Sequence, residues 1–153
     1  MSSTPSQIKD RVVTILGAVS GITTVLDDYP EDNEPFTAAE LPACVVRLRG
    51  ATNAAVDGRG FAMTRTVAII LHAARSDEDI KYPDTNALEA IETFLLSIPA
   101  AFNARRRLNS DDGGLAGVTS ITLPADDGRR TIVHESAWYF GAIFSMTVTT
   151  QHR

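Results

Sequence analysis

Three histidines and one cysteine are the side chains of this 153-residue chain best suited to catalysis or metal binding. His72, His134 and His152 are widely spaced, and no two have the i, i+4 spacing that presents a pair of imidazoles to one metal ion. His134 precedes Glu135 in a stretch with strand character, so the two side chains should point to opposite faces of a sheet. We therefore interpret His72 as a surface strand position and His134 as a half-exposed or interface residue, with catalysis by His134 the weaker alternative.

Cys44 is the only cysteine, so neither a disulfide within the chain nor a multi-cysteine zinc site can form. It alternates with Val46 and Leu48 in the manner of one face of a strand, where a small thiol acts as packing material. We predict a buried, unreactive Cys44. The absence of paired cysteines fits a reducing compartment.

The glycine-containing segments carry no phosphate-binding or nucleophile motif. Gly58-Arg59-Gly60 and Gly113-Gly114 do not lie between a strand and a helix, and no Gly-Lys-Ser or Gly-Lys-Thr follows them. A Gly-x-Ser-x-Gly elbow is also missing from the sequence. We predict no cofactor and no enzymatic activity. The alternative is a small enzyme with a carboxylate site at residues 77–79, where no partner base is visible.

The most acidic stretch of the chain is a proline-containing segment near residue 30. Its carboxylates are Asp27, Asp28, Glu31, Asp32 and Glu34. A calcium loop needs oxygen ligands at alternating positions around a central glycine, and this segment has Pro30 and Pro35 instead. We interpret it as a solvated loop or a contact for a partner, with metal binding the weaker alternative.

Arg105, Arg106 and Arg107 follow the second predicted helix, where positive charge complements the carbonyl end of the helix dipole. The alternatives are a contact with DNA, with an acidic partner surface, or with the acidic segment of a neighbouring subunit. The formal net charge of −5 argues against a protein whose main task is to grip the phosphates of a nucleic acid.

Two amphipathic helices are predicted. Thr4 and Gln7 form a capping box around Pro5, ahead of a helix over residues 5–19. A second helix begins at Asp84 or Thr85, and its regular part should end or kink near Ile98 because Pro99 has no backbone donor. Its buried stripe is predicted to be Leu88, Ile91, Leu95 and Ile98.

Alternating apolar residues predict the strands. Residues 43–49 and 61–73 should form adjacent antiparallel strands, with Asp57-Gly58 as the turn signal of a long hairpin arm, and residues 23–26 a short strand. A hairpin turn at residues 126–129 separates two further predictions. These are a strand over residues 117–123 and a strand over residues 131–148, the latter either continuous or broken near residues 135–137.

This order of elements predicts an α+β fold, an antiparallel sheet of about four to five strands with two α-helices packed on one face. We expect a single domain over residues 1–153. The N-terminal residues lack the basic and apolar regions of a signal peptide, and no apolar stretch reaches the roughly 20 residues of a spanning helix. We therefore expect synthesis in the cytoplasm and no membrane contact.

The whole pattern resembles the tail terminator proteins of long-tailed bacteriophages and prophages, over nearly the full length. The resemblance lies in the capped first helix, the Leu41-Pro42-Ala43 strand entry after an acidic loop, and the strand of residues 65–70. A second helix of Ala87-Leu88-Glu89-Ala90-Ile91 type and the closing strand of residues 139–148 complete it.

The resemblance implies a structural role. Tail terminators are α+β proteins that form a ring, usually a hexamer, on the end of the tail tube, stop tube polymerisation and offer a surface to the head connector. It implies self-association, a tail tube partner, a head connector or neck partner, genomic DNA passing through the lumen, and a place in the virion. A different neck or head completion protein is the alternative, since such proteins share the small size and the ring habit.

A ring would use the exposed strands of this chain. Arg47, Arg49 and Arg65 would share a polar strip if the two strands pair with these faces together, and we expect some of them to contact a neighbouring subunit or line the channel. The acidic segment and Arg105 to Arg107 are the other candidate interface residues.

Overall fold

The structure is a computed structural model that describes residues 4–29, 35–58, 60–76, 85–109, 114–134 and 137–152. Within them the side chains of residues 38, 57, 76, 85–87 and 127–130 are left undescribed. The elements are α1 (Pro5–Gly17), β1 (Thr24–Leu26), a 3-10 helix (Ala38–Glu40), β2 (Ala43–Asp57), β3 (Gly60–Ser76), α2 (Thr85–Asn103), β4 (Val118–Ile121), β5 (Ala125–His134) and β6 (Ala137–His152).

The first helix begins where its capping residues predict. The Gln7 amide donates to Thr4 Oγ1 at 3.2 Å, and the Thr4 amide donates to Gln7 Oε1 at 2.8 Å, so the capping box is confirmed. The helix ends at Gly17, two residues before the predicted end. Gly21 lies further on and has a φ of 94°, a backbone conformation that glycine adopts without strain.

The second helix continues past its proline. Pro99 lies inside α2, which runs to Asn103, so of the two predicted alternatives near Ile98, an end or a kink, the end is wrong. Phe102 explains the extension because this last-turn side chain is fully buried. Burying a phenylalanine stabilises by about 1.5–3 kcal/mol, which offsets most of the roughly 3 kcal/mol that an interior proline costs.

The predicted sheet is wrong in its size and in its strand directions. Six strands form one sheet with the order β1-β2-β3-β6-β4, and β5 also pairs with β6. β1 runs parallel to β2, with Thr24 opposite Ala43, while the other pairs are antiparallel. The Thr23 amide donates to the Pro42 carbonyl at 2.9 Å, which holds the start of β1 beside β2. The antiparallel sheet of four to five strands with helices on one face is therefore replaced by a mixed, sheet-rich fold.

Apolar residues are buried on both faces of the sheet, which the predicted class did not include. In the first core, residues of α1 and α2 pack with alternate residues of β2, β3 and β6, among them Cys44, Ile69 and Phe144. The second core lies on the opposite face and contains Phe36, Ala43, Val45, Ile70, Ile132, Ala137 and Tyr139. The loop after β1 thus covers a face that helices leave open.

The hairpin turn predicted at residues 126–129 is also wrong. Those residues lie within β5, and the register against β6 shifts between Asp126 and Arg129. A glycine in a strand often marks such a bulge. The two halves of the predicted strand over residues 131–148 belong to different strands, since β5 ends at His134 and β6 begins at Ala137.

In the described part of the chain, the helices are all too short or too polar to cross a lipid bilayer.

Candidate assembly surface

The β2–β3 hairpin extends beyond the buried part of the sheet as an arm, which we define as residues 50–58 and 60–66. Ala55 pairs with Phe61 and Asp57 with Gly60, so the turn falls where Asp57-Gly58 predicts it. β6 continues alongside the arm, with His152 opposite Phe61. The long hairpin is therefore confirmed, and its far side rests on β6.

Exposure increases across the arm from β6 to β2. Val148 and Thr150 of β6 are fully buried, residues 62–66 of β3 are half-buried, and residues 51–56 of β2 are all exposed. β6 is covered here because β4 pairs with it, with Ile121 opposite Val148. The outer strand of the arm has solvent on both faces.

The outer edge of the arm lacks a pairing strand among the described residues. β1 pairs with β2 only at residues 43–45, so β2 from residue 46 onward pairs with β3 alone. The edge sequence Ala51-Thr52-Asn53-Ala54-Ala55-Val56 contains no charge and no proline, two of the devices that protect an exposed edge, although register shifts flank it between Leu48 and Ala51 and between Ala55 and Asp57. Such a segment is suited to pairing with another chain.

The predicted strip of arginines does not form. Arg47 pairs with Ala68, and it lies on the face of Val45 in the second core. Arg65 pairs with Ala51 and shares the face of Val67 in the first core. A register shift between Leu48 and Ala51 falls at Arg49, which is exposed. Arg47 and Arg65, which were predicted to share one strip, therefore lie on opposite faces of the sheet. The buried Nε of Arg65 has no hydrogen-bond partner.

The acidic segment is described only at its ends. Glu31, Asp32 and Glu34 lie outside the described residues, and Asp27 and Asp28 are exposed. Asp28 Oδ1 lies 3.6 Å from Arg47 Nε, and both side chains are more than half exposed. An exposed pair of this kind contributes no more than about 1 kcal/mol. Both aspartates and Arg47 line an open cleft of about 290 Å³ at the start of α1.

Behind the acidic segment lies a buried aromatic cluster that the sequence did not predict. The Tyr29 ring stacks on His134 with centroids 3.7 Å apart, and its hydroxyl lies 3.2 Å from His72 Nε2. His72 Nδ1 lies 3.3 Å from the Ala43 carbonyl. Since a carbonyl only accepts, Nδ1 carries the proton of the neutral ring, and the Tyr29 hydroxyl donates to Nε2.

The other end of the acidic segment is attached to the same cluster. The Phe36 amide donates to the Tyr139 hydroxyl at 2.9 Å, and the Phe36 ring lies edge-on to His72 at 5.2 Å. His72 and Tyr139 also meet edge to face, at 4.9 Å. Tyr29 and Phe36 therefore bracket the segment and anchor both of its ends on the second face.

His72 is fully buried, so its interpretation as a surface residue is wrong. Burial lowers the pKa of His72 to about 4, because the charged imidazolium is poorly solvated there, and the nearby His134 acts in the same direction. His134 is also buried rather than half-exposed, and its Nε2 has no hydrogen-bond partner. The sequence signal for this cluster is weak: one aromatic residue, Tyr29, lies within the acidic segment, and another, Phe36, follows it.

Cys44 lies in the first core, fully buried, as predicted. Burial raises the pKa of its thiol to about 12, so the reactive thiolate is scarce at neutral pH.

The three consecutive arginines hold the end of α2 in place. Arg105 donates to the Asn109 carbonyl, Arg106 donates twice to Asn103 Oδ1, and Arg107 donates to the Val118 carbonyl at 3.1 Å. Leu108, between them and Asn109, is fully buried with a φ of 52°. Each guanidinium thus already has an acceptor in its own chain, while Arg106 and Arg107 remain exposed.

Within the described residues, no three histidine, cysteine, aspartate or glutamate side chains are grouped to hold a metal ion. The rings of His72 and His134 both pack against the ring of Tyr29.

Comparison of the chain with models of known protein families and with curated proteins gives no match.

Proposed function

We propose that this chain is a phage assembly protein of the tail terminator type, a subunit of a ring that caps the tail tube and offers a surface to the head connector. The arm carries the proposal: its outer strand has solvent on both faces and an uncharged, unpaired edge. The ring acts at the tail end of the virion, after synthesis in the host cytoplasm. Genomic DNA passes through its lumen.

An exposed edge of this kind is a hazard to a lone chain and an advantage to an assembly. Unpaired backbone groups template pairing with another chain, and natural proteins usually block such edges with lysine, proline or bulges. Repeated pairing of unlike surfaces produces a ring when the rotation closes. The exposed arm therefore supports a closed assembly of identical subunits.

The mass of the purified protein tests self-association. Light scattering coupled to size exclusion should give a multiple of the 16.5 kDa chain mass, about six times that mass for a hexamer. Negative-stain microscopy should show rings with an open centre. A protein that stays monomeric at all concentrations and in the presence of tubes would refute the proposal.

Two lysines on the arm separate assembly from folding. Thr52→Lys with Ala54→Lys places charge on the unpaired edge and should abolish the ring, while the monomer keeps its stability to within about 0.5 kcal/mol. Thr14→Lys with Thr93→Lys adds the same charge at exposed positions of α1 and α2 and should leave the ring intact. Rings that survive the edge lysines would exclude the arm as the contact.

Tail tubes test the particular role. Tubes assembled from the tube protein of the same phage or prophage, without heads, should carry this protein at one end and stop growing. Binding to finished heads but not to headless tubes would overturn the terminator role in favour of a neck or head completion protein.

A further inference from the structure

Most of the large exposed apolar side chains in the described part of the chain lie near one end or the other of the long strands β3 and β6. Val56 is 54% exposed and Phe61 40%, and we call these two residues the tip patch. Val133 is 54% exposed and Trp138 41%, and we call them the end patch. Leu96, on α2, is 77% exposed and stands apart from both.

The two patches lie at opposite ends of the same strands. Phe61 pairs with His152, near the start of β3 and at the end of β6. Trp138 pairs with Ser76 at the other end of the same two strands. Val133 lies directly opposite Trp138 across the β5–β6 pair, so the end patch is one cross-strand pair. Fifteen residue steps along β3 place the patches roughly 50 Å apart, and they do not meet within one subunit.

The proposed ring requires a head-to-tail contact between unlike surfaces. A closed two-fold dimer could join each patch to its own copy, or the tip patch to the end patch twice, but neither arrangement extends around a ring. A head-to-tail contact covers both with one interface and repeats around a ring. The exposed Arg75 lies opposite Tyr139, next to Trp138, so the end patch has a positively charged neighbour.

We propose that the tip patch of one subunit binds the end patch of the next copy of this chain. This inference rests on the proposed ring and names the contact that closes it. Trp138 is the anchor, since a large aromatic side chain at a contact often carries much of the binding energy. The unpaired edge beside the tip patch supplies the additional area that a stable interface needs.

Thiol cross-linking tests the contact, because the native Cys44 is buried and does not compete for the reagent. A Val56→Cys, Val133→Cys double variant treated with a short bis-maleimide should give a ladder of covalent oligomers on a denaturing gel. Either single variant should give no dimer. Dimers of Val56→Cys alone, or of Val133→Cys alone, would show a two-fold contact and overturn the proposal.

The anchor has a separate test. Trp138→Ala should raise the concentration at which half of the protein is monomeric by about tenfold or more, whereas Leu96→Ala, an equally exposed apolar control, should leave it unchanged. Rings that form normally without the cross-linked ladder would refute the contact and leave the ring proposal standing. A native chain that stays monomeric at all concentrations and in the presence of tail tubes would refute both the contact and the ring.

Discussion

The strands β2, β3 and β6 build two regions with different surroundings. At one end, residues 43–46 of β2 and 67–73 of β3 are buried, with the first core on one face and the second core on the other. In the arm, the same β2 is exposed throughout residues 51–56. Continuous backbone pairing therefore does not make a strand part of the core, because burial depends on what covers each face.

The largest difference in stability between the buried end of the sheet and the arm is expected when a glycine in each is replaced by alanine. A Cβ at Gly141, in the buried end, would lie 1.8 Å from the Leu71 carbonyl oxygen, whereas nothing lies within 4 Å of a Cβ at Gly50, in the arm. Gly141→Ala should cost about 4 kcal/mol or more, because two paired strands must separate. Gly50→Ala should change the free energy of unfolding by less than about 0.5 kcal/mol. Urea denaturation of both variants measures this, and equal losses would contradict the contrast.

Acid should weaken the buried end next. The pKa of His72 is about 4 in the folded chain against 6.5 for an unperturbed histidine, so the unfolded chain binds the extra proton between these values. The stabilisation is complete above pH 6.5 and is lost as the pH falls to about 4. The difference in the pKa of His72 between the unfolded and the folded chain corresponds to about 3 kcal/mol of folding free energy.

Denaturation midpoints from pH 7 to pH 4 measure this loss. Replacing His72 with glutamine should flatten the dependence, and His152→Gln, a control in β6 beside the arm, should leave it as in the native chain. A dependence that is unchanged in His72→Gln would refute the assignment of the acid sensitivity to His72.

A smaller effect is expected where the loop is attached to the second face. Tyr139→Phe removes the acceptor of the buried Phe36 amide and should cost about 1–3 kcal/mol. Proteolysis should then cut the segment between Tyr29 and Phe36 more readily. Phe61→Leu in the arm is the matched aromatic control and should change neither the stability nor the cleavage rate of that segment.

Local chemistry made part of the fold predictable from the sequence. The capping box of Thr4 and Gln7, the turn at Asp57-Gly58 and the alternation around Cys44 are short-range signals, and the structure contains all three features. Long-range packing decided the rest. Phe102 extends α2 past Pro99, and a parallel pairing of β1 has no local signature.

The histidine cluster shows the same limit at the candidate site. The alternation of β3 places His72 on the other face of the sheet from Leu71. From the sequence this face is predicted to be exposed to solvent, because the sequence does not reveal the second core that buries His72. The prediction of the arginine strip is wrong for a similar reason. The pairing that sets Arg47 opposite Ala68, and so on the other face from Arg65, is not encoded in the alternation of either strand.

The graded exposure across the arm has a consequence for the lone subunit. Opening the outer strand uncovers little apolar surface, so it takes much less free energy than global unfolding and leaves both cores intact. Amide hydrogens of residues 51–56 should therefore exchange with solvent far faster than those of β6. Anything that binds only the closed form of the arm stabilises it by mass action. In the proposed ring the neighbouring subunit is such a binder, and the rigidity of the arm would then rise with the concentration of the chain.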